Sequence, residues 1–193
     1  MNRTEISSLG EFGLIKHLTK DFEKKNSSTV LGVGDDAAIM DYKEKQVLVT
    51  TDLLLEGIHF DLVYVPLMHL GYKSAVVNFS DIYAMNGFPK QITVSLGVSK
   101  RFSVEDIEEL YAGIKLACDK YGVDLVGGDT SASATGLTIS ITCIGEGEKG
   151  KISQRSGAKN TDLICVSGDL GARELGRGAL RGDGGVELHL AVD

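Results

Sequence analysis

Apolar positions along the chain recur with two periods, and the changes of period mark the elements. In residues 10–25, Phe12, Leu14, Ile15, Leu18 and Phe22 fall on roughly one helical stripe, which predicts an amphipathic helix ended by Lys24, Lys25 and an Asn-Ser-Ser segment. Val30 to Val33 reads as a short strand running into the turn Gly32-Val-Gly-Asp-Asp36. The β-branched run from Gln46 to Asp52 predicts a longer strand, and its period of two points Thr50 and Asp52 the same way. From Met68 to Met85 the chain is apolar at most positions and has no proline, so a largely buried helix is expected. Its polar residues are not scattered. Ser74, Asn78 and Asp81 lie four and three apart, one narrow polar stripe on an otherwise hydrophobic helix.

Gln91 to Val98 is the next strand. Ser103 with Asp106 three residues on approximates a capping box, and Phe102 can staple onto Ile107. Val104, Ile107, Leu110, Tyr111, Ile114, Ala117, Cys118 and Tyr121 then recur at helical spacing until Gly122 supplies the stop, which makes Tyr111 a core residue by default. Val123 to Val126 reads as a short strand, Gly127 to Gly136 as a loop of small and hydroxyl residues, Leu137 to Gly145 as a half-exposed strand, and Asp162 to Ser167 as another. Strands and helices interleave, yet several strands are short and alternating. The expected class is therefore α+β, a mixed β-sheet packed by helices on one face.

Composition narrows the function more than the fold. With 193 residues, 42% hydrophobic and 24% charged, the chain can bury a proper core. Its formal charge of -7 argues against nucleic-acid or membrane-surface binding, because those partners are polyanions. An anionic ligand would need a cation to mediate. Cys118, Cys143 and Cys165 lie in apolar runs without metal spacing, so all three are read as buried reduced thiols, which fits the cytoplasm. The first residues lack a signal peptide's apolar region, and no apolar run has the length to span a bilayer.

Four separate segments each offer an acid near an end or turn: Asp35 with Asp36, Asp52 beside Thr50 and Thr51, Asp81, and Asp129 after Gly127-Gly128. Taken alone, Gly-x-Gly-Asp-Asp is either a solvated turn or half of a metal site. Carboxylates without histidine or cysteine select hard cations, and magnesium shares its shell readily with phosphate oxygens. No Gly-x-x-x-x-Gly-Lys-[Ser/Thr] sequence is present, which excludes an ordinary P-loop.

Ordered motifs then carry a resemblance. Gly10-Glu-Phe-Gly-Leu-Ile15, Gly32-Val-Gly-Asp-Asp-Ala-Ala38, Val49-Thr-Thr-Asp-Leu-Leu-Leu-Glu-Gly-Ile-His-Phe60, Gly71 through Asp81 to Met85, Gly127-Gly-Asp-Thr130 and Arg155-Ser-Gly-Ala-Lys159 resemble the thiamine-monophosphate kinases, in the superfamily of aminoimidazole ribonucleotide synthetase. The resemblance covers roughly the first 170 residues. It implies the N-terminal domain of the aminoimidazole ribonucleotide synthetase-like fold and ATP-dependent phosphorylation of thiamine monophosphate to the diphosphate. By match to its motifs, Asp36, Thr50, Thr51, Asp52, Asp81 and Asp129 would ligate several Mg2+ ions. Tyr111, Gly128, Asp129 and Arg155 would contact ATP, and His59 would contact thiamine monophosphate. Asp35 stays a supporting or turn residue, and no side chain is expected as a general acid or base. On sequence alone His59 reads as a surface or core histidine and Arg155 as a solvated loop cation; the resemblance is what gives His59 its role.

Family members continue into a second domain, whereas residues 172–193 resemble nothing in the family. Residues 1–171 are thus expected to form an ATP- and Mg2+-binding, homodimer-forming domain, with 172–193 as a disordered tail. Two further readings stay open: a truncated Mg-nucleotide-binding dimerisation module with little turnover, or another enzyme of the superfamily such as selenophosphate synthetase, a hydrogenase-maturation protein or aminoimidazole ribonucleotide synthetase.

Overall fold

Six strands and two helices account for most of the 29–31 and 35–165 segments, the residues that the computed structural model describes. The strands are β1 (Thr29–Leu31), β2 (Ala38–Tyr42), β3 (Lys45–Leu55), β4 (Phe88–Val98), β5 (Asp124–Ala132) and β6 (Leu137–Glu148). Helix α1 spans Leu67–Ala84 and helix α2 spans Val104–Tyr121. The strands form one sheet in the order β1-β2-β3-β6-β4-β5. Every neighbouring pair is antiparallel except β4 and β5, which α2 connects and which run parallel. This is the mixed sheet of the expected α+β class. The expected helix at 10–25, the residues Gly32, Val33 and Gly34, and the tail 172–193 lie outside the described residues.

Alternation along the strands decides the layers. In β3, Leu48, Thr50 and Leu54 are buried, all at positions of one parity, and in β6 Leu137, Ile139, Ile141 and Cys143 are buried at a spacing of two. Ile92, Val94 and Leu96 do the same on β4. Helix α1 lies on this face, with Leu70, Phe79 and Ile82 fully buried, and α2 packs against α1. Two glycines set that crossing. A Cβ at Gly71 would meet the Leu110 carbonyl oxygen at 1.9 Å, and one at Gly113 would meet the Met68 carbonyl oxygen at 1.9 Å, so only glycine lets the backbones touch. The capping box of α2 forms as its sequence predicts, Asp106 N donating to Ser103 Oγ at 3.3 Å and Ser103 N to Asp106 Oδ2 at 2.8 Å. Gly122 closes the helix with a left-handed φ of 66°.

Three expectations are corrected: the loop beginning at Gly127, the strand beginning at Asp162 and the burial of Cys165. Residues 127–132 are strand rather than loop, because parallel pairing with β4 supplies the main-chain partners that small side chains cannot compensate. Strand β2 carries no turn signal in its sequence; its hairpin to β3 is made by Lys43 in a left-handed conformation, φ 71°. Residues 162–165 form no strand, and 166–167 lie outside the described residues. Leu163 and Ile164 are 90% and 95% exposed, and Cys165 is exposed with them rather than buried. Cys118 and Cys143 are buried, and burial pushes the Cys143 thiol up to about 12, which keeps it inert. No described helix is long and apolar enough to cross a membrane.

Candidate functional site

The polar stripe of α1 lies against the polar end of β3. Ser74, fully buried, donates to Gly71 O at 2.8 Å, and Asn78 Nδ2 donates to Ser74 O at 3.0 Å. Asn78 Oδ1 then accepts from the backbone N–H of Asp52 at 3.1 Å, which fixes where that carboxylate leaves the strand. One turn further on, Asp81 Oδ2 accepts from Thr50 Oγ1 at 2.8 Å. The two periods meet here: every second residue of β3 faces every third or fourth residue of α1. Asn78 is the positioning residue that motif reading passes over, although its place in the stripe was the available signal.

Asp36 and Asp35 approach the same region from the turn before β2. The Asp35 side chain, 7% exposed, accepts from Asp36 N at 2.9 Å and from Arg155 N at 3.2 Å. Arg155 forms an ion pair with Asp36 and lies 3.8 Å from Asp35 through Nε. Burial raises the Asp81 carboxyl above the ordinary carboxylate value, opposed by the Thr50 hydrogen bond, reinforced by the charges of Asp52 and Asp36, and opposed again by Arg155. Asp52 is raised by burial as well, with His59 opposing. Those influences place Asp36, Asp52, Asp81, Arg155 and His59 in one electrostatic neighbourhood with an excess of negative charge.

His59 is held by a tight turn after β3. Its backbone N–H bonds Leu55 O at 2.9 Å, its Nδ1 accepts from Leu55 N at 2.9 Å, and buried Phe60 anchors the turn. The ring's Nε2 is thereby left to carry the proton of the neutral form. Thr51, by contrast, faces the other side of the sheet. Its hydroxyl donates to Ile141 O at 3.1 Å and accepts from Thr142 Oγ1 at 3.1 Å, so the strand's period of two separates it from Thr50 and Asp52.

A second centre lies at the far edge of the sheet. Tyr111 from α2 and Gly128, Asp129 and Thr130 from β5 line an open cleft of about 520 Å³. Tyr111 and Thr130 also line an adjoining cleft of about 410 Å³, walled by Val98, Phe102 and Ile107. Gly128 is required by contact: a Cβ there would meet Val94 O at 1.9 Å. Burial pushes the Tyr111 hydroxyl upward, so it stays protonated at neutral pH. Asp129 is in register with Ser95, Ser140 and Leu53 across three strand spacings, roughly 14 Å from the backbone of β3. Asp129 and Asp52 of one chain therefore cannot ligate the same ion directly.

Among the described residues no three histidine, cysteine, aspartate or glutamate side chains form a cage for a metal. The donor set nevertheless suits magnesium, which takes one or two carboxylates and fills the rest of its shell with water and phosphate oxygens. Hydroxyl and carboxylate oxygens at Thr50, Asp52, Asp81 and Asp36 are donors of the kind such a shell uses.

Comparison with known proteins places the chain among relatives. Residues 34–146 match the family described as AIR synthase related protein, N-terminal domain. The thiamine-monophosphate kinase of Bacillus subtilis (strain 168) is 40% identical over 169 residues, covering 87% of this chain and 52% of the relative. That of Aquifex aeolicus (strain VF5) is 39% identical over 171 residues, 89% of this chain and 53% of the relative. The chain thus spans about half the length of the curated relatives it matches. The solved structure of AaThiL complexed with AMPPCP and TMP superposes with a TM-score of 0.83 at 37% identity, over 95% of this chain and 56% of that one.

Proposed function

The chain belongs to the family of AIR synthase related proteins, whose N-terminal domain it carries, and from that premise we propose that it is the Mg2+- and nucleotide-binding part of a thiamine-monophosphate kinase. The reaction proposed is transfer of the ATP γ-phosphoryl group to thiamine monophosphate, giving thiamine diphosphate, in the cytoplasm. The observation that carries it is the oxygen-only donor set of Asp36, Thr50, Asp52 and Asp81 beside Arg155, on a chain whose relatives are thiamine-monophosphate kinases. AMPPCP, a non-hydrolysable ATP analogue, and TMP in the structural relative support the choice of both substrates.

Within this reading the residues divide the work. Asp36, Thr50, Asp52 and Asp81 hold magnesium at one centre, and Asp129 holds it at the nucleotide cleft with Tyr111 and Gly128. Thr51 drops out of the ligand set because its hydroxyl is committed to the opposite face. Bound magnesium supplies charge neutralisation between two polyanions. Asn78 keeps Asp52 in place, Arg155 offers a guanidinium to phosphate oxygens, and His59 offers Nε2–H to the thiamine monophosphate. The attacking phosphate oxygen is already anionic near neutral pH, so no side chain need act as general base, and transfer is direct and in line. Homodimerisation through the uncovered sheet face completes the proposal.

Calorimetric titration of Mg-AMPPCP and of thiamine monophosphate into the chain and into Asp36→Asn tests it. Wild type should bind the nucleotide complex and the variant should bind it at least about tenfold more weakly; equal affinity would remove Asp36 from the site. A second reading is a binding and dimerisation module with little turnover. Robust thiamine diphosphate formation by the purified chain would sink that reading.

A further inference from the structure

Arg155 reaches the acids on a belt rather than on a strand or helix. After β6 the chain runs beneath the end of α1, where Asn86 Nδ2 donates to Lys151 O at 2.9 Å and Ser153 N donates to Met85 O at 3.1 Å. Ile152 covers Gly147, at which a Cβ would meet its Cδ1 at 2.1 Å. The belt ends at a single 3-10 turn, Arg155–Gly157. The main chain of Arg155 is held by Asp35, while its side chain pairs with Asp36 and keeps Nε 3.8 Å from Asp35 Oδ1. The backbone N–H is fixed by the nearly buried Asp35 carboxylate, whereas the half-exposed guanidinium lies on Asp36. The guanidinium can therefore leave Asp36 by side-chain rotation alone, with its backbone still anchored.

We propose that Arg155 is the resident counter-cation of the acidic centre and competes with a divalent cation for Asp36, so that metal arrival releases the guanidinium toward the incoming phosphates. The inference rests on the metal reading of Asp36, Asp52 and Asp81 given above. Its physical basis is exclusion: a carboxylate oxygen paired to a guanidinium offers a metal a smaller share of its charge, and two cations on one carboxylate repel each other. Without the arginine, the charges of Asp52 and Asp36 would act on Asp81 opposed only by its Thr50 hydrogen bond. With it, part of the binding-competent population is withheld, and apparent metal affinity falls by that fraction. The same residue then serves two states, closing the acids when no metal is present and contacting phosphate when metal has displaced it.

The test is Mn2+ binding to the 193-residue chain without nucleotide, read from the electron paramagnetic resonance signal of free Mn2+. Arg155→Met should bind Mn2+ about tenfold tighter than wild type, the internal competitor having been removed. Arg155→Lys, which keeps the charge, should stay near wild type. Lys151→Met removes a charge from the same belt, away from Asp36, and should change nothing. Adding Asp36→Asn to Arg155→Met should abolish the gain. Equal or weaker binding by Arg155→Met overturns the competition while leaving the metal site standing. So does an equal gain from Lys151→Met, or a gain that survives Asp36→Asn. Absence of Mn2+ binding in every chain overturns the metal reading and the competition together.

Discussion

On the helix-covered face of β3, Thr50 and Asp52 are each matched to one partner on α1, Asp81 and Asn78. On the opposite face of the same strand, Thr51 bonds a neighbouring strand's carbonyl and hydroxyl, and Leu53 is 52% exposed. Adjacent residues thus live under different rules. Under the helix, a polar group without a partner would cost about 1–3 kcal/mol, so each one present is specified and the surplus of carboxylates marks a binding task. On the bare face, Thr51, Thr142 and Thr93 stand in one cross-strand row beside Leu53, Ser140 and Ser95. Small hydroxyl and apolar side chains in such rows make a flat surface that suits a second sheet, in keeping with the proposed homodimer.

The largest expected effect comes from breaking the covered side itself. Gly113→Val would drive carbons into the α1 backbone and should cost about 3 kcal/mol, read as a lower urea midpoint. A result within about 0.5 kcal/mol of wild type would mean the helices do not cross where Gly71 and Gly113 place them.

A smaller effect of opposite sign is expected at Asp81. Its carboxyl is raised above its unfolded value of 3.8, so the folded state holds its proton to higher pH than the unfolded state does. Below that value the proton is bound in both states and nothing is lost; as pH rises through the raised value, ionisation destabilises the fold. Asp81→Asn removes this penalty and keeps an oxygen for Thr50. Metal-free Asp81→Asn should melt higher than wild type at pH 7, and the difference should shrink as pH falls toward 3.8. A lower Tm at pH 7 would show that the carboxylate stabilises the metal-free fold.

Leu53→Ser sharpens the contrast from the bare side. It should change monomer stability by less than about 0.5 kcal/mol, while sedimentation should show the dimer weakened. Loss of stability without loss of dimer would place Leu53 in the core instead.

Sequence alone settled the elements whose signals are local. Ser103, Asp106 and Gly122 delimit α2 because capping is chemistry between residues three or four apart, and the period-two run before Asp52 fixed which side Thr50 faces. The stripe of Ser74, Asn78 and Asp81 was legible for the same reason. Tertiary structure alone decided that Asn78 serves Asp52 and that Asp81 serves Thr50, because those contacts join residues 26 and 31 apart in the chain. It also decided that Gly127 to Ala132 is strand, since main-chain pairing with β4 overrides a sequence of poor strand formers. Arg155 reaches Asp36 across 119 residues, and Asp129 is held three strands from Asp52. Motifs name the donors, but only the order of strands in a sheet sets which of them can share a charge, because electrostatic coupling depends on distance in space and not along the chain.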